Sequence, residues 1–539
     1  MNDTIDLKEK LSSLSKEELI ELAIEKEVQL NWYKEQVAAL TKVRMGRSSE
    51  VTAQNQLNLF NEIEEYYEEP EIEEVIEESA SKGKKKKKKE SDYSKLPMKI
   101  IHHDIENKAC PECGGKLREL APEIVQVLKY QPARYVIEKH IIHQYFCPVC
   151  SEEDECFDVI KGDSAPTRLI EGSVASSSVV AGLATNKFVD GTPLYRQELE
   201  LKRKGVPLSR QNMSNWLMRC SEDYLEPLFN KMHLDLRNLE IRHMDETQLT
   251  VLEDNRKENR STSYEWVASS GKYEEKQMAL YFYHNSREYS FAQEILGKDA
   301  TGYVHSDGYE AYQRINGVIN IGCWAHARRK VNEAMDVNPI HKQLQKLKKE
   351  EQIKLVDENP GYKHILHVMN LINRLFKLES EYQEQGYQPE KIKEQRENDA
   401  KPILSELLTY IKGIEKDYAP KSKMGVAITY IQNQWEYLNN YLLDGHLEIS
   451  NNRAERLVKP FVMARKNFLF SNTKAGAKAS SIYFSLIQSA IMNGLDPHKY
   501  LVYVLDRLSN EGLRDDIVNE ILPYSKSLPK DLYSKNHSR

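Results

Sequence analysis

From about residue 240 the hydrophobic pattern switches to short alternating runs, "IRHMDETQLTVL", "YEWVASS" and "QMALYFYH", and this switch constrains the fold more than any other feature. β-branched and aromatic residues at a period of two predict strands. A helix near "FAQEILG" follows, then a strand in "TGYVHSDGYEAY", then strand and helix in "INGVINIGCWAHARRKV". Three strands, a helix and further alternation predict a mixed α/β sheet. The first run carries Asp245 and Glu246 in its middle, where carboxylates are usually avoided.

At 539 residues the chain exceeds what one core serves, so the expectation is multidomain. The predicted divisions are 1–60, a coiled-coil segment; 61–95, a charged linker; 96–165, a zinc ribbon; 166–235, a helix-turn-helix region; 236–334, the first part of the α/β core; 335–444, a charged helical insertion; 445–495, the second part of the core; and 496–539, a C-terminal helical segment. In the first, Ser15 and Glu18 form a capping box. Leu19, Ala23, Lys26, Leu30, Tyr33, Val37 and Leu40 then recur in steps of four and three, either the seam of a short coiled coil or one face of an amphipathic helix. Self-association as a homodimer or higher oligomer is expected from the former. Between Glu62 and Glu78 ten glutamates stand without a base, and Lys82 and Lys84 to Lys89 follow, a composition that buries nothing.

Cys110-Pro-Glu-Cys113 and Cys147-Pro-Val-Cys150 are separated by 33 residues. Thiolates so spaced suit a tetrahedral, structural Zn²⁺. In residues 192–220 a helix ends at Lys204-Gly205, Pro207 occupies the turn and Ser209 caps a second helix. Arg210, Gln211, Asn212 and Asn215 lie on or near the open side of that helix, where base-reading residues would stand. The formal charge of −7 argues against nucleic acid, yet residues 451–480 hold seven Lys or Arg and one acid, Glu455. No apolar run suits a membrane helix and no leader pattern is visible, so a cytoplasmic protein is expected.

Asp307 stands at a strand tip, and Glu455 in the first turns of a helix begun by Ser450 or Asn451. Three carboxylates from a strand, a strand end and a helix can converge on two divalent ions, with Mg²⁺ or Mn²⁺ favoured by oxygen donors. Arg453, Arg456, Lys459, Arg465 and Lys466 would neutralise a DNA backbone. His326, Arg328 and Arg329 could contact the scissile phosphate or mark a structural junction, and Trp324 fills the core rather than stacking on a base.

"RMGRSSE", "ACPECGGKL", "FVDGTPLYRQELELKRKGVPLSRQNMSNWL", "MDET", "HSDGYEAY", "GCWAHARRK", "DGHLEISNNRAERLVKPFVMARKNFLF" and "NGLDPHKYLVYVL" occur in this order. In these motifs the chain resembles transposases of the insertion-sequence-66 family, among the DDE, ribonuclease H-like transposases. The resemblance implies a ribonuclease H-like core with a helical insertion. It implies Asp245, Asp307 and Glu455 as a catalytic triad on two divalent ions, which would explain an acid inside a strand. Glu448, seven residues earlier, is the alternative third ligand. The implied activity is 3′-end cleavage and strand transfer on double-stranded DNA, at transposon ends and target, possible accessory proteins of the same element assisting. A catalytically silent DNA-binding regulator and a metal-dependent nuclease of the same fold are the rival readings.

Overall fold

A computed structural model describes residues 135–140, 144–146, 159–161, 167–254, 262–344 and 347–534, with Ser15, Lys16, Lys26 and Tyr33. Lys26 and Tyr33 are helical. The rest of the expected seam, the charged linker and the four paired cysteines lie outside the described residues. Strands β1 (Gln144–Phe146) and β2 (Val159–Lys161) pair antiparallel, and β1 stops one residue before Cys147.

Between residues 177 and 237 four helices lead into the main sheet: α1 (Ser177–Phe188), α2 (Leu194–Arg203), α3 (Arg210–Cys220) and, after a π-helical turn, α4 (Glu226–Arg237). Gly205, at φ +78°, ends the α2 run, and the Ser209 hydroxyl accepts the Asn212 N–H to start α3. Met213, Leu217 and Cys220, spaced four and three apart, are the face that α3 buries.

The sheet contains β3 (Ile241–Leu249), β4 (Ser263–Ser270), β5 (Ala279–His284), β6 (Tyr303–His305) and β7 (Ile319–Ile321), in the order β5-β4-β3-β6-β7. The first three run antiparallel, while β6 and β7 are parallel to β3. Helix α5 (Tyr289–Leu296) makes the crossover from β5 to β6, and α6 (Trp324–Val337) leaves β7. Gly302 is required where β6 begins: at φ +77° it sits against Glu240, whose carbonyl a Cβ would meet at 2.3 Å.

The chain then departs into helices including α7 (Pro360–Glu384), α8 (Lys401–Ile414) and α9 (Lys423–Asn433). These pack with α6 around a second core that contains Ile321 and Trp324. Trp324 is fully buried, donates to the Leu438 carbonyl at 2.8 Å and meets Trp435 edge-on, so it is a core residue. The chain returns through α10 (Asn452–Phe468), α11 (Lys474–Met492) and α12 (Pro497–Glu511). Helix α11 covers the open edge of β5. Ser485 accepts the Tyr281 N–H, and Ser489 both accepts from and donates to Ala279. An edge strand so occupied offers no template for a further strand. Among the described residues no helix is long and apolar enough to cross a membrane.

Candidate active site: carboxylates on a strand, a strand tip and a helix

Strand β3 is buried from Ile241 to Met244 and opens to partial exposure at Asp245. Successive side chains alternate across a strand, so Asp245 and Glu246 face opposite sides of the sheet. Glu246 is held by Arg287 and by the Tyr312 hydroxyl. Asp245 accepts the Glu246 N–H at 2.9 Å, and among the described residues no cation pairs with it. Burial, then the charges of Glu246 and Asp307, with Glu455 adding to them, hold its carboxyl well above the usual range.

Asp307 lies two residues past β6, and its Oδ1 accepts the Tyr309 N–H at 2.9 Å. The intervening Gly308 is pressed against Tyr430, whose ring a Cβ would meet at 2.7 Å. Glu455 occupies the first turn of α10, where Arg329 Nη2 donates to its Oε2 at 2.9 Å and His326 Nδ1 stands 3.4 Å from its Oε1.

The placement of Glu455 depends on Asn451. Its backbone N–H reaches Cys323 Sγ at 3.1 Å, its Nδ2 donates to the Met244 carbonyl at 2.8 Å, and its Oδ1 lies 3.0 Å from His243 Nδ1. Asn451 therefore does not cap its own helix, as its position suggests, but ties that helix to β3 beside Asp245 and to the start of α6. The other nitrogen of His243 lies 3.0 Å from Glu448 Oε2, and the His243 ring stacks on buried His305 at 4.1 Å. Although burial opposes it, His243, with Arg453 and Arg456, holds the Glu448 carboxyl below its ordinary value.

Carboxylate oxygens are the donor type that a hard cation takes. Asp245, Asp307 and Glu455 offer oxygens, and Glu455 Oε1 is buried without a hydrogen-bond donor. Among the described residues, the group whose ligand atoms all lie within 4.8 Å of one another is Cys323, His326 and Glu455, and the three acids do not meet that spacing. Burial pushes the Cys323 thiol up to about 12, however, which keeps it protonated and a poor metal ligand.

The basic residues divide. His326 and Arg329 turn to Glu455, whereas the Arg328 guanidinium lies 5.7 Å from the Phe376 ring, toward the helical insertion. Arg456 and Lys466 are exposed, Lys459 is half-buried, and Arg465 Nη1 reaches Thr247 Oγ1 at 3.3 Å. Arg453 differs from the expectation for a DNA contact: its guanidinium donates to the Ser270 carbonyl at 2.7 Å and to Gln277, pinning α10 to the sheet. On α3, Arg210, Gln211, Asn212 and Asn215 are all exposed, with Gln211 Nε2 donating to Asn215 Oδ1 at 3.1 Å. The sequence reading missed Arg287, Tyr312, His243 and Asn451. Of these only Arg287 stood outside the stretches singled out: His243 lies in "IRHMDETQLTVL", Tyr312 closes "HSDGYEAY" and Asn451, read there as a helix start, lies in "EISNNRAER".

Residues 172–479 match the family described as Transposase IS66 family. The chain belongs to the IS66 family of transposases. Two further matches agree with this membership: residues 107–151 with the zinc-finger binding domain of transposase IS66, and residues 32–98 with Transposase C of IS166 homeodomain. This IS66-family chain is also similar to three proteins of Sinorhizobium fredii. It is 26% identical to uncharacterized protein y4jD over 80% of this chain and 81% of that one. It is 27% identical to uncharacterized protein y4qI over 67% and 64%, and 23% identical to uncharacterized protein y4hP over 77% and 73%.

Proposed function

We propose that this transposase binds the terminal inverted repeats of its mobile element and catalyses metal-dependent 3′-end cleavage and strand transfer from a ribonuclease H-like core. The strand order, three antiparallel strands followed by two parallel ones, supports that core assignment. The observation that carries the reading is Asp245. It is a strand carboxylate without a cation partner among the described residues, whose charge neighbours include Asp307 and Glu455. Glu455 is favoured as third ligand because its charge acts on Asp245, whereas Glu448 is not among the charges that do.

Two Mg²⁺ or Mn²⁺ ions held by these three acids would stabilise the attacking and leaving oxygens of an in-line phosphoryl displacement. The protein's own groups do the rest. Arg329 and His326 orient Glu455, and Asn451 fixes the helix that carries it. Arg456, Lys459, Arg465 and Lys466 neutralise phosphates, while Arg210, Gln211, Asn212 and Asn215 face base edges. Cys110, Cys113, Cys147 and Cys150 hold the structural zinc of the matched zinc-finger region. Oligomerisation through the N-terminal segment brings two ends together.

The test uses purified full-length protein and DNA carrying the sequence that flanks its own gene. Mg²⁺- or Mn²⁺-dependent 3′-end cleavage and joining is expected, abolished by Asp245→Asn, Asp307→Asn and Glu455→Gln but retained by Glu448→Gln. End binding without cutting by the wild type would replace this reading with a silent regulator. Cutting without preference for the ends would replace it with a nuclease.

A further inference from the structure

Helix α10 ends in an unusual way. Leu469 has φ +66° and ψ −47°, and it is the one non-glycine residue with positive φ among those described. The Phe470 N–H donates to the Phe468 carbonyl at 2.8 Å, closing a γ-turn of the rare, strained hand. A branched residue at such a turn costs free energy that glycine would spare.

The turn is held on both sides. The Leu469 N–H donates to Arg465 at 2.7 Å, and the Phe468 ring packs edge-on against Phe461. Beyond the turn, Ser471 exchanges two 2.9 Å hydrogen bonds with Thr250 and Leu252 just past β3, and Glu253 donates to Asn472 at 3.1 Å. Between these anchors Leu469 is 66% and Phe470 42% exposed. A strained backbone is thus fixed so that two large apolar side chains stand in solvent, an arrangement that folding alone does not reward.

The surroundings identify the occupant. Leu469 and Phe470 follow the helix that bears Glu455, three to five positions after Arg465 and Lys466, and that helix carries Arg456, Lys459, Arg465 and Lys466 against Glu455 as its one acid. A polyanion complements that charge. Apolar wedges beside basic groups are a means of entering a base step. We propose that Leu469 and Phe470 form a wedge that inserts between base pairs of the element-end duplex. The inference rests on the transposase reading above and adds a contact site to it. At 1.5 Å per residue the tip lies about 20 Å along the helix from Glu455. That reach sets the unstacked step within about six base pairs of the phosphate at the carboxylates, at about 3.4 Å per step.

The experiment places 2-aminopurine, which brightens on unstacking, in turn at each position up to about eight base pairs from the cleavage point. Binding is followed with full-length protein without Mg²⁺ or Mn²⁺. The wild type brightens one or two adjacent positions. Leu469→Ala combined with Phe470→Ala removes the brightening and weakens end binding about tenfold, the scale of a lost base contact. Leu469→Gly relieves the turn, so it melts no lower than the wild type yet also loses brightening at the wedge step. Wild-type binding without brightening at any position overturns the wedge while leaving the transposase reading intact. Brightening that persists in the double variant also overturns it. If the double variant changes the sedimenting oligomer and leaves brightening untouched, the tip is a contact between copies and the wedge is refuted. A wild type that binds no end DNA removes the transposase reading, and the wedge falls with it.

Discussion

Asp245 and Glu246 are chain neighbours with opposite solutions to the same problem. Glu246 is compensated by Arg287 and Tyr312, while Asp245 is left against other carboxylates. Near neutral pH and without divalent ions, an ionised Asp245 is therefore a burden on the fold. Asp245→Asn is expected to raise Tm under those conditions while abolishing cleavage, and addition of Mn²⁺ should raise Tm of the wild type only. Differential scanning calorimetry checks both. Glu265 is a second such group: fully buried on β4, its carboxyl is pushed by burial from 4.5 to about 8, with Ser481 only partly offsetting this. Between those values the folded chain keeps a proton that the unfolded chain releases, so stability falls as pH rises. Glu265→Gln should match the wild type below pH about 4.5 and exceed it by on the order of 3 kcal/mol at pH 7 in urea denaturation. Burial inside a β-rich run is a contact property, and nothing in "SYEWVASS" distinguishes this glutamate from a solvated one.

The elements were readable where a period or a cap carried the signal. The alternation of 241–252 gave β3, and Gly205 with Ser209 gave the turn before α3. The two three-residue strands β6 and β7 are too short for a period of their own, and their register comes from parallel pairing, β6 with β3 and β7 with β6. Long-range ties left no trace in the sequence. Asn451 reads as a helix cap, yet its side chain bonds Met244 and His243, some 207 positions away. Arg396, unremarkable in "KEQRENDA", is almost fully buried and donates five hydrogen bonds. Two go to Glu379 at 2.7 Å and the others to the carbonyls of Tyr441, Asp444 and Leu447. It thereby fixes the chain just ahead of Glu448, where the insertion hands back to the core. Arg396→Met should destabilise by about 3 kcal/mol, because Glu379, only 12% exposed, is left unpaired. Adding Glu379→Leu should recover part of that loss in guanidinium denaturation.

Over the whole molecule, a net charge of −7 conceals a basic strip along α10. End-DNA affinity should fall steeply with salt in spite of the overall sign. Lys466→Ala is expected to reduce the slope of log K against log[salt] by about one, without changing which sequence is preferred, as fluorescence anisotropy titrations would report. The same view gives the insertion a meaning in time. Asp307 and Glu455 are separated by 148 positions, 307 to 455, occupied chiefly by helices with their own core. At 5–20 residues per second, a nascent chain carries the first two acids for roughly 7–30 s before the third is synthesised. Arg396 then seats the returning chain only once the insertion has folded. On the triad proposed above, the chain gains its cutting centre only after the whole insertion has been made.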